Sequence, residues 1–154
     1  IKNTNESYIP FVVETSLGLD RMFLAVLSNA LSNEDLKDGS SRVVLRLPYI
    51  LSPTKVAILP LLKKDGLPEM AKHISEKFKT NFSTVYDEKD AIGRRYRRQD
   101  ALGTPFCITI DHQSLTSNTF TLRDRDSMKQ ERLSIEKIEK KIHSKLSFKN
   151  WFKA

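Results

Sequence analysis

The chain has 154 residues, of which 39% are hydrophobic and 29% are charged, so it can bury a core and is too apolar for a disordered protein. Its 26 basic and 19 acidic residues give a net charge of +7, which favours a polyanionic partner: nucleic acid, an anionic membrane surface or an acidic protein. No apolar stretch approaches the roughly 20 residues that span a bilayer, so the sequence predicts no membrane-spanning helix.

The first part of the chain predicts a strand and a helix that lack covering partners. Tyr8 to Glu14 carries consecutive apolar residues and predicts a strand, and Leu19 to Leu31 predicts a helix. That helix is apolar on nearly every side, so several of its faces need cover that no neighbouring segment supplies. Ser32 to Ser41 is polar and predicts a connection, and Val43 to Leu47 predicts a short strand. Because the chain also begins with Ile1, we expect a fragment of a longer protein.

A domain boundary is placed near residue 50, which divides the chain into segments 1–50 and 51–154. In the second segment the predicted strands are Lys55 to Leu61, Thr84 to Tyr86, Phe106 to Ile110, Thr119 to Arg125 and Glu131 to Ile135. The predicted helices carry Leu67 to Phe78, Ile92 to Leu102 and Ile135 to Leu146. This order predicts an α/β domain with a mixed sheet flanked by helices.

The single cysteine, Cys107, lies in an apolar run, which predicts a buried thiol rather than a nucleophile. One cysteine allows no internal disulfide. The three histidines are scattered without metal-ligand spacing, so the sequence predicts no metal site.

The segment from Glu14 to Arg21 is denser in polar groups than a strand-to-helix junction needs. Glu14 suits an ammonium group, and Arg21 in the first helical turn suits a phosphate or a base. In the alternative interpretation, Ser16 caps the helix and Glu14 forms a surface ion pair with Arg21. From the chemistry of the residues alone, this second interpretation is slightly favoured.

Four arginines surround a tyrosine in the segment Gly93 to Asp100, and two more follow at Arg123 and Arg125. Guanidinium groups match phosphate geometry, and a tyrosine ring can stack on an unpaired base, so this composition favours nucleic acid. The alternative is an exposed helix whose arginines pair with neighbouring carboxylates.

Read together, these segments resemble the class II glycyl-tRNA synthetase family of the homodimeric type. The resemblance runs from about Tyr8 to Leu133 and is carried by five segments: Phe11 to Arg21, Val56 to Leu61, Ile92 to Asp100, Gly103 to Cys107 and Leu122 to Met128. The first ends in Gly-x-Asp-Arg, which is typical of class II motif 3. The chain therefore resembles the last strand and helix of an antiparallel-sheet catalytic domain, followed by an anticodon-binding domain.

The resemblance implies an enzyme that joins glycine to its tRNA through a glycyl-adenylate, with ATP and Mg²⁺ as the nucleotide substrate. It assigns glycine binding to Glu14, Ser16 and Gly18, and ATP binding to Gly18, Asp20 and Arg21. It assigns no catalytic side chain, because the carboxylate of glycine is the nucleophile and the protein supplies positioning and charge.

The resemblance also implies that the second segment binds the anticodon of glycine tRNA, in a cytoplasmic homodimer with no membrane partner. The residues predicted to contact the anticodon region are Arg94, Arg95, Arg97, Arg98, Thr104, Phe106, Arg123 and Arg125. Class II motifs 1 and 2 have no counterpart in the sequence, so the portion shown is expected to be inactive alone. The alternative is a stand-alone nucleic-acid-binding accessory protein built from the same domain.

Overall fold

The computed structural model describes residues 7–36 and 39–151, with the backbone alone at 150 and 151. Its α-helices are α1 Leu19–Ala30, α2 Leu67–Lys79, α3 Ile92–Leu102, α4 His112–Ser117, α5 Ile135–Leu146 and α6 Phe148–Trp151. Its strands are β1 Leu31–Asp35, β2 Ser41–Leu45, β3 Val56–Pro60, β4 Thr84–Tyr86, β5 Phe106–Ile110, β6 Thr119–Asp124 and β7 Gln130–Ser134. A short 3₁₀ turn, Tyr49–Leu51, precedes β3.

Five strands form one mixed sheet in the order β4-β3-β5-β6-β7. Strand β3 lies between β4 and β5 and is parallel to both, and β6 is antiparallel to both β5 and β7. The parallel neighbours are joined through α2 and α3, because a parallel connection needs a crossover. The predicted mixed sheet flanked by helices is confirmed.

The core lies on both faces of this sheet, which explains why β3 and β5 are continuous apolar runs. Ile58 and Ile108 face α2 and α5. Ala57, Leu59 and Cys107 face the opposite side, where α3 packs. The prediction of a buried thiol is confirmed, and burial raises the pKa of Cys107 to about 12.

From β3 onward the predicted elements are confirmed to within a residue or two at their ends, whereas α4 and the short α6 were not predicted. Helix α4 has a clear start signal. This helix begins with a reciprocal cap: the Asp111 carboxylate accepts from the backbone N–H of Ser114 at 3.0 Å, and the Ser114 hydroxyl accepts from the backbone N–H of Asp111 at 3.2 Å. The segment is short and polar, so it has no apolar periodicity that would reveal a helix.

The predicted strand from Tyr8 to Glu14 is wrong, because residues 7–18 have no regular secondary structure. A strand requires a hydrogen-bonded neighbour, and none pairs with this segment in the described part of the chain. The predicted connection from Ser32 to Ser41 is also wrong, since β1 pairs with β2 as an antiparallel hairpin. Residues 37 and 38 of that segment lie outside the described residues. The strand predicted at Val43 to Leu47 is β2, which starts and ends two residues earlier.

The helix predicted after Gly18 is confirmed as α1, and it carries large apolar side chains on its surface. Leu19, Phe23 and Leu24 are more than half exposed. Together with Leu47 and other residues after β2, the helix lines an open apolar groove. Across the described residues, no helix combines the length and apolarity needed to cross a membrane.

Candidate nucleic-acid interface

The arginine-rich segment forms α3, which lies on one face of the sheet. Ile92 and Tyr96 pack against the side chains of β3 and β5 on that face. The helix ends at Gly103, where the backbone turns into the left-handed region with φ of 80°. The N–H of Gly103 donates to the Asp100 carbonyl at 3.1 Å, and the N–H of Thr104 donates to the Gln99 carbonyl at 3.0 Å. This is the usual glycine termination of a helix.

Three of the predicted arginines share the outer side of α3, because positions three and four residues apart are neighbours on a helix. Arg94 is exposed and has no ion pair within the part of the chain that the structure describes. Arg97 is exposed and donates to the Ser40 hydroxyl at 3.0 Å. Arg98 is partly exposed and pairs with Asp87 at 2.6 Å and Asp90 at 2.5 Å, which raises its pKa.

Arg95 points inward and is only 2% exposed. Its guanidinium donates to the backbone carbonyls of Pro60 at 2.5 Å, Leu61 at 3.1 Å and Asp87 at 3.2 Å. Arg95 therefore ties α3 to the segments that follow β3 and β4. Its Nε has no hydrogen-bond partner in the described structure.

Arg123 on β6 is buried and forms a two-pronged pair with Asp100 of α3, at 2.7 and 2.9 Å. Its guanidinium also lies 4.8 Å from the centre of the Tyr96 ring, and the Tyr96 hydroxyl bonds to Thr109 at 2.6 Å. Burial alone would lower the pKa of Arg123, but the contact with Asp100 outweighs burial and raises it. The Tyr96 ring, which the sequence suggested for base stacking, thus makes its contacts inside the fold.

Asp100 has a second arginine partner that the sequence analysis missed. Arg42 of β2 donates to Asp100 at 2.8 Å, and both side chains are almost fully buried. The two residues are 58 positions apart, and Arg42 stands in a short strand with no nearby motif. No local signal in the sequence could have identified this pair.

Arg125 follows β6 and is 1% exposed. It donates to the carbonyls of Gly103 and Leu47, each at 2.8 Å, and pairs with Asp126 at 2.7 Å. Its guanidinium lies 5.3 Å from the centre of the Tyr49 ring. The side chain therefore joins the end of α3 to the segment before β3.

Thr104 and Phe106 are also interior residues, each 1% exposed. The Thr104 hydroxyl donates to the Gln99 side chain at 2.8 Å. The Phe106 ring packs edge-on against Tyr49, with 5.2 Å between centroids. Of the eight residues predicted to contact the anticodon region, five support the interior and three lie on the outer side of α3.

The second predicted site, at the start of the chain, is an open segment leading into α1. Glu14, Ser16, Asp20 and Arg21 are all exposed. Gly18 precedes the helix without any side-chain cap, so Ser16 does not cap α1. Within the described residues no ion pair joins Glu14 to Arg21, and no cluster of three or more His, Cys, Asp or Glu side chains could hold a metal.

A protein-family model described as "Anticodon binding domain" matches residues 55–145, which include the whole five-stranded sheet and α3. The chain belongs to the anticodon-binding domain family. The match begins just before β3, so the hairpin of β1 and β2 lies outside the matched residues.

Curated relatives of this anticodon-binding chain are glycine–tRNA ligases, as the resemblance implied. The chain is 51% identical over 132 residues to the ligase of Borrelia hermsii, covering 86% of the chain and 30% of that protein. It is 52% identical over 136 residues to the ligase of Mycoplasmopsis synoviae, covering 88% of the chain and 30% of that protein. The chain thus spans about a third of the length of these relatives.

A solved structure with a similar fold is the RNA-binding domain of threonyl-tRNA synthetase from Cryptosporidium parvum. The TM-score is 0.59 with 22% identity, over 75% of this chain and 35% of that one. At this level of identity the similarity supports the fold alone.

Proposed function

We propose that this anticodon-binding chain is the C-terminal part of a glycine–tRNA ligase and that residues 51–154 bind the anticodon region of glycine tRNA. The observation that carries the proposal is the identity of about one half to glycine–tRNA ligases over 86–88% of the chain. A stand-alone binding module would have no need of the motif-3 residues at the start of the chain. Glu14, Ser16, Gly18 and Arg21 are nevertheless all present.

The RNA-contacting residues in this proposal are the outer arginines of α3. Arg94 makes no ion pair within the described residues, and Arg97 makes an exposed hydrogen bond to the Ser40 hydroxyl that a phosphate can replace. Arg98 is held by Asp87 and Asp90, so it contributes less unless RNA displaces one carboxylate. Together these side chains form a basic strip that can follow a sugar–phosphate backbone.

Residues 1–50 are proposed to be the end of the catalytic domain. The Glu14 carboxylate would hold the ammonium of glycine with Ser16 beside it, and Gly18 would leave room in a small pocket. Asp20 and Arg21 would contact ATP, which enters with Mg²⁺ as a substrate complex. Because the carboxylate of glycine attacks the α-phosphate of ATP directly and displaces pyrophosphate, these residues bind and orient rather than transfer a proton. The exposed apolar side of α1 supports the view that the rest of the catalytic domain covers it.

The full-length enzyme is proposed to work as a cytoplasmic homodimer. The test is glycine-dependent exchange between ATP and pyrophosphate, together with charging of glycine tRNA, by the full-length protein. Arg21→Ala is expected to lower exchange by about a hundredfold or more, the size of loss seen when a charge-stabilising donor is removed. Lys129→Ala, an exposed cation in the turn between β6 and β7, is the control and is expected to leave exchange unchanged.

Exchange that occurs with glycine, requires Arg21 and tolerates the Lys129 change would support the ligase. Absence of exchange while tRNA or DNA binding remains would instead support a nucleic-acid-binding accessory protein built from the same domain.

A further inference from the structure

The hairpin formed by β1 and β2 packs along α3, although it lies outside the residues that match the anticodon-binding family. Near one end, Arg97 donates to the Ser40 hydroxyl at 3.0 Å. At the other end, Gly103 faces Leu45 so closely that an added Cβ would lie 3.1 Å from the Leu45 carbonyl oxygen. Arg97 and Gly103 are six residues apart and flank Asp100, so one side of α3 follows the whole length of β2.

The middle of this contact is a buried ion pair between Arg42 and Asp100. The Arg42 guanidinium donates to Asp100 at 2.8 Å and to the Arg125 carbonyl at 3.0 Å. Its other edge donates to Glu34 of β1 at 2.9 and 2.8 Å. One guanidinium therefore links both strands of the hairpin to α3 and to the end of β6.

We propose that the β1–β2 hairpin is part of the RNA-binding unit and that Arg42 is a positioning residue, which holds α3 through Asp100 so that Arg94 and Arg97 face the RNA. This inference rests on the proposed function. It extends the RNA-binding unit upstream of the family match, to residues that contact α3 and carry no predicted RNA contact of their own.

The positions of these residues on α3 explain how the contact between Arg42 and Asp100 determines the orientation of Arg97. Arg97 and Asp100 are three residues apart, so they are neighbours on the helix surface and turn together about the helix axis. Asp100 is fixed from one side by Arg123 of the sheet and from the other by Arg42 of the hairpin. Without Arg42, the side of α3 that faces the hairpin loses the ion pair at Asp100. The helix can then tilt relative to the sheet, which moves Arg94 and Arg97.

The guanidinium shape matters as much as its charge. Arg42 uses three nitrogens to reach Glu34, Asp100 and the Arg125 carbonyl. A lysine has one compact ammonium group and cannot span these acceptors. Arg42→Lys therefore keeps the positive charge but loses the simultaneous contacts with Glu34, Asp100 and the Arg125 carbonyl.

The test uses the full-length protein and compares Arg42→Lys with Arg46→Gln. Arg46 directly follows β2 and is exposed, and its ion pairs within the described residues are with Glu34 and Asp126, neither of which belongs to α3. Arg42→Lys is expected to raise the KM for tRNA about tenfold while glycine-dependent ATP–pyrophosphate exchange stays within about twofold. Arg46→Gln is expected to change neither quantity by more than about twofold.

If Arg42→Lys does not fold, Glu34→Gln replaces it, since it weakens the hairpin's hold on Arg42 and leaves the contact with Asp100 intact. The KM for tRNA is then expected to rise about threefold. An unchanged KM in a folded variant would overturn the proposal. A fall in exchange that matches the fall in charging would also overturn it, because Arg42 would then serve the whole fold.

Failure of this inference is distinguishable from failure of the proposed function. If the wild-type protein shows no exchange, the ligase is contradicted, and the Kd for tRNA replaces the KM as the readout for Arg42. Arg94→Ala tests the RNA surface independently of the hairpin. Weaker tRNA binding in Arg94→Ala, with normal binding in Arg42→Lys, would contradict the hairpin's role alone.

Discussion

The Asp100 carboxylate receives two hydrogen bonds from the Arg123 guanidinium, at 2.7 and 2.9 Å, with Asp100 1% exposed and Arg123 5% exposed. This pair joins α3 to β6 of the sheet, and Arg42 adds a third bond from the hairpin. Several arginines that the sequence predicted to contact RNA are therefore buried and bonded within the fold. The outer face of α3 retains a smaller set of cations.

Replacing Asp100 with asparagine is expected to destabilise the protein by about 3 kcal/mol or more, because two buried arginines lose their shared counter-charge. Asp90→Asn is the matched control. Its carboxylate pairs with Arg98 at the surface, where solvent screening leaves an ion pair little net stabilising effect. Urea denaturation measures the free energy of unfolding of each variant. Equal losses of stability in Asp100→Asn and Asp90→Asn would contradict this prediction.

Two glycines of the α3 region are expected to respond oppositely to alanine. Gly103 has φ of 80°, and an added Cβ would approach the Leu45 carbonyl at 3.1 Å, so Gly103→Ala should cost about 1 kcal/mol or more. Gly93 lies within α3 with open space around it, so Gly93→Ala should stabilise by up to about 0.5 kcal/mol. The midpoint of thermal unfolding should fall in Gly103→Ala and rise in Gly93→Ala, relative to wild type. Midpoints that shift in the same direction would contradict this prediction.

The sequence predicted the sheet and its helices well because β3 and β5 are unbroken apolar runs and α2 and α5 carry regular apolar stripes. It could not predict which arginines remain on the surface. The run of arginines in α3 gives one composition, but the helix sends Arg95 inward and Arg94 outward. The hairpin was missed for a related reason. β1 is polar, and its stability depends on pairing with β2 and on the distant contact between Arg42 and Asp100.

The sequence pattern also failed to predict the local structure of the segment before α1. Residues 7–18 have an apolar pattern that suits a strand, yet a strand forms only where a neighbour can pair with it. The motif-3 resemblance from Glu14 to Arg21 rests on residue types, and the binding role of these residues stays a prediction.

The stability contributed by Asp111 is expected to depend on pH. Burial of this carboxylate opposes its ionisation, but hydrogen bonds from Arg132 and Ser114 outweigh burial and hold the pKa of Asp111 below its usual 3.8. A lowered pKa contributes stability that is present above pH 3.8 and is lost as the pH falls through the folded-state pKa.

Asp111→Asn keeps a side chain that can cap α4 and removes the charge. The variant is therefore expected to be less stable than wild type at neutral pH, and the difference should shrink as the pH falls below 3.8. Urea denaturation at a series of pH values measures this. A difference that stays constant down to the lowest pH at which the protein remains folded would show that the charge is not involved.

Removing both Arg94 and Arg97 is expected to weaken tRNA binding and to reduce the salt dependence of that binding. Each lost phosphate contact should lower the slope of log K against log salt by about 0.7 to 0.9. Lys140→Ala serves as the control, because this exposed lysine lies on α5, on the opposite side of the sheet from α3. Titrations at several salt concentrations supply both slopes. A double variant with the wild-type slope would remove α3 from the interface.

Our proposal is that this chain recognises the anticodon region of glycine tRNA as part of a glycine–tRNA ligase. Its most direct test is charging by the full-length protein of glycine tRNA and of the same tRNA with an unrelated anticodon loop. We expect the KM for the altered tRNA to be about tenfold higher or more, with unchanged glycine-dependent ATP–pyrophosphate exchange. Equal charging of both tRNAs, or no exchange with glycine, would contradict it.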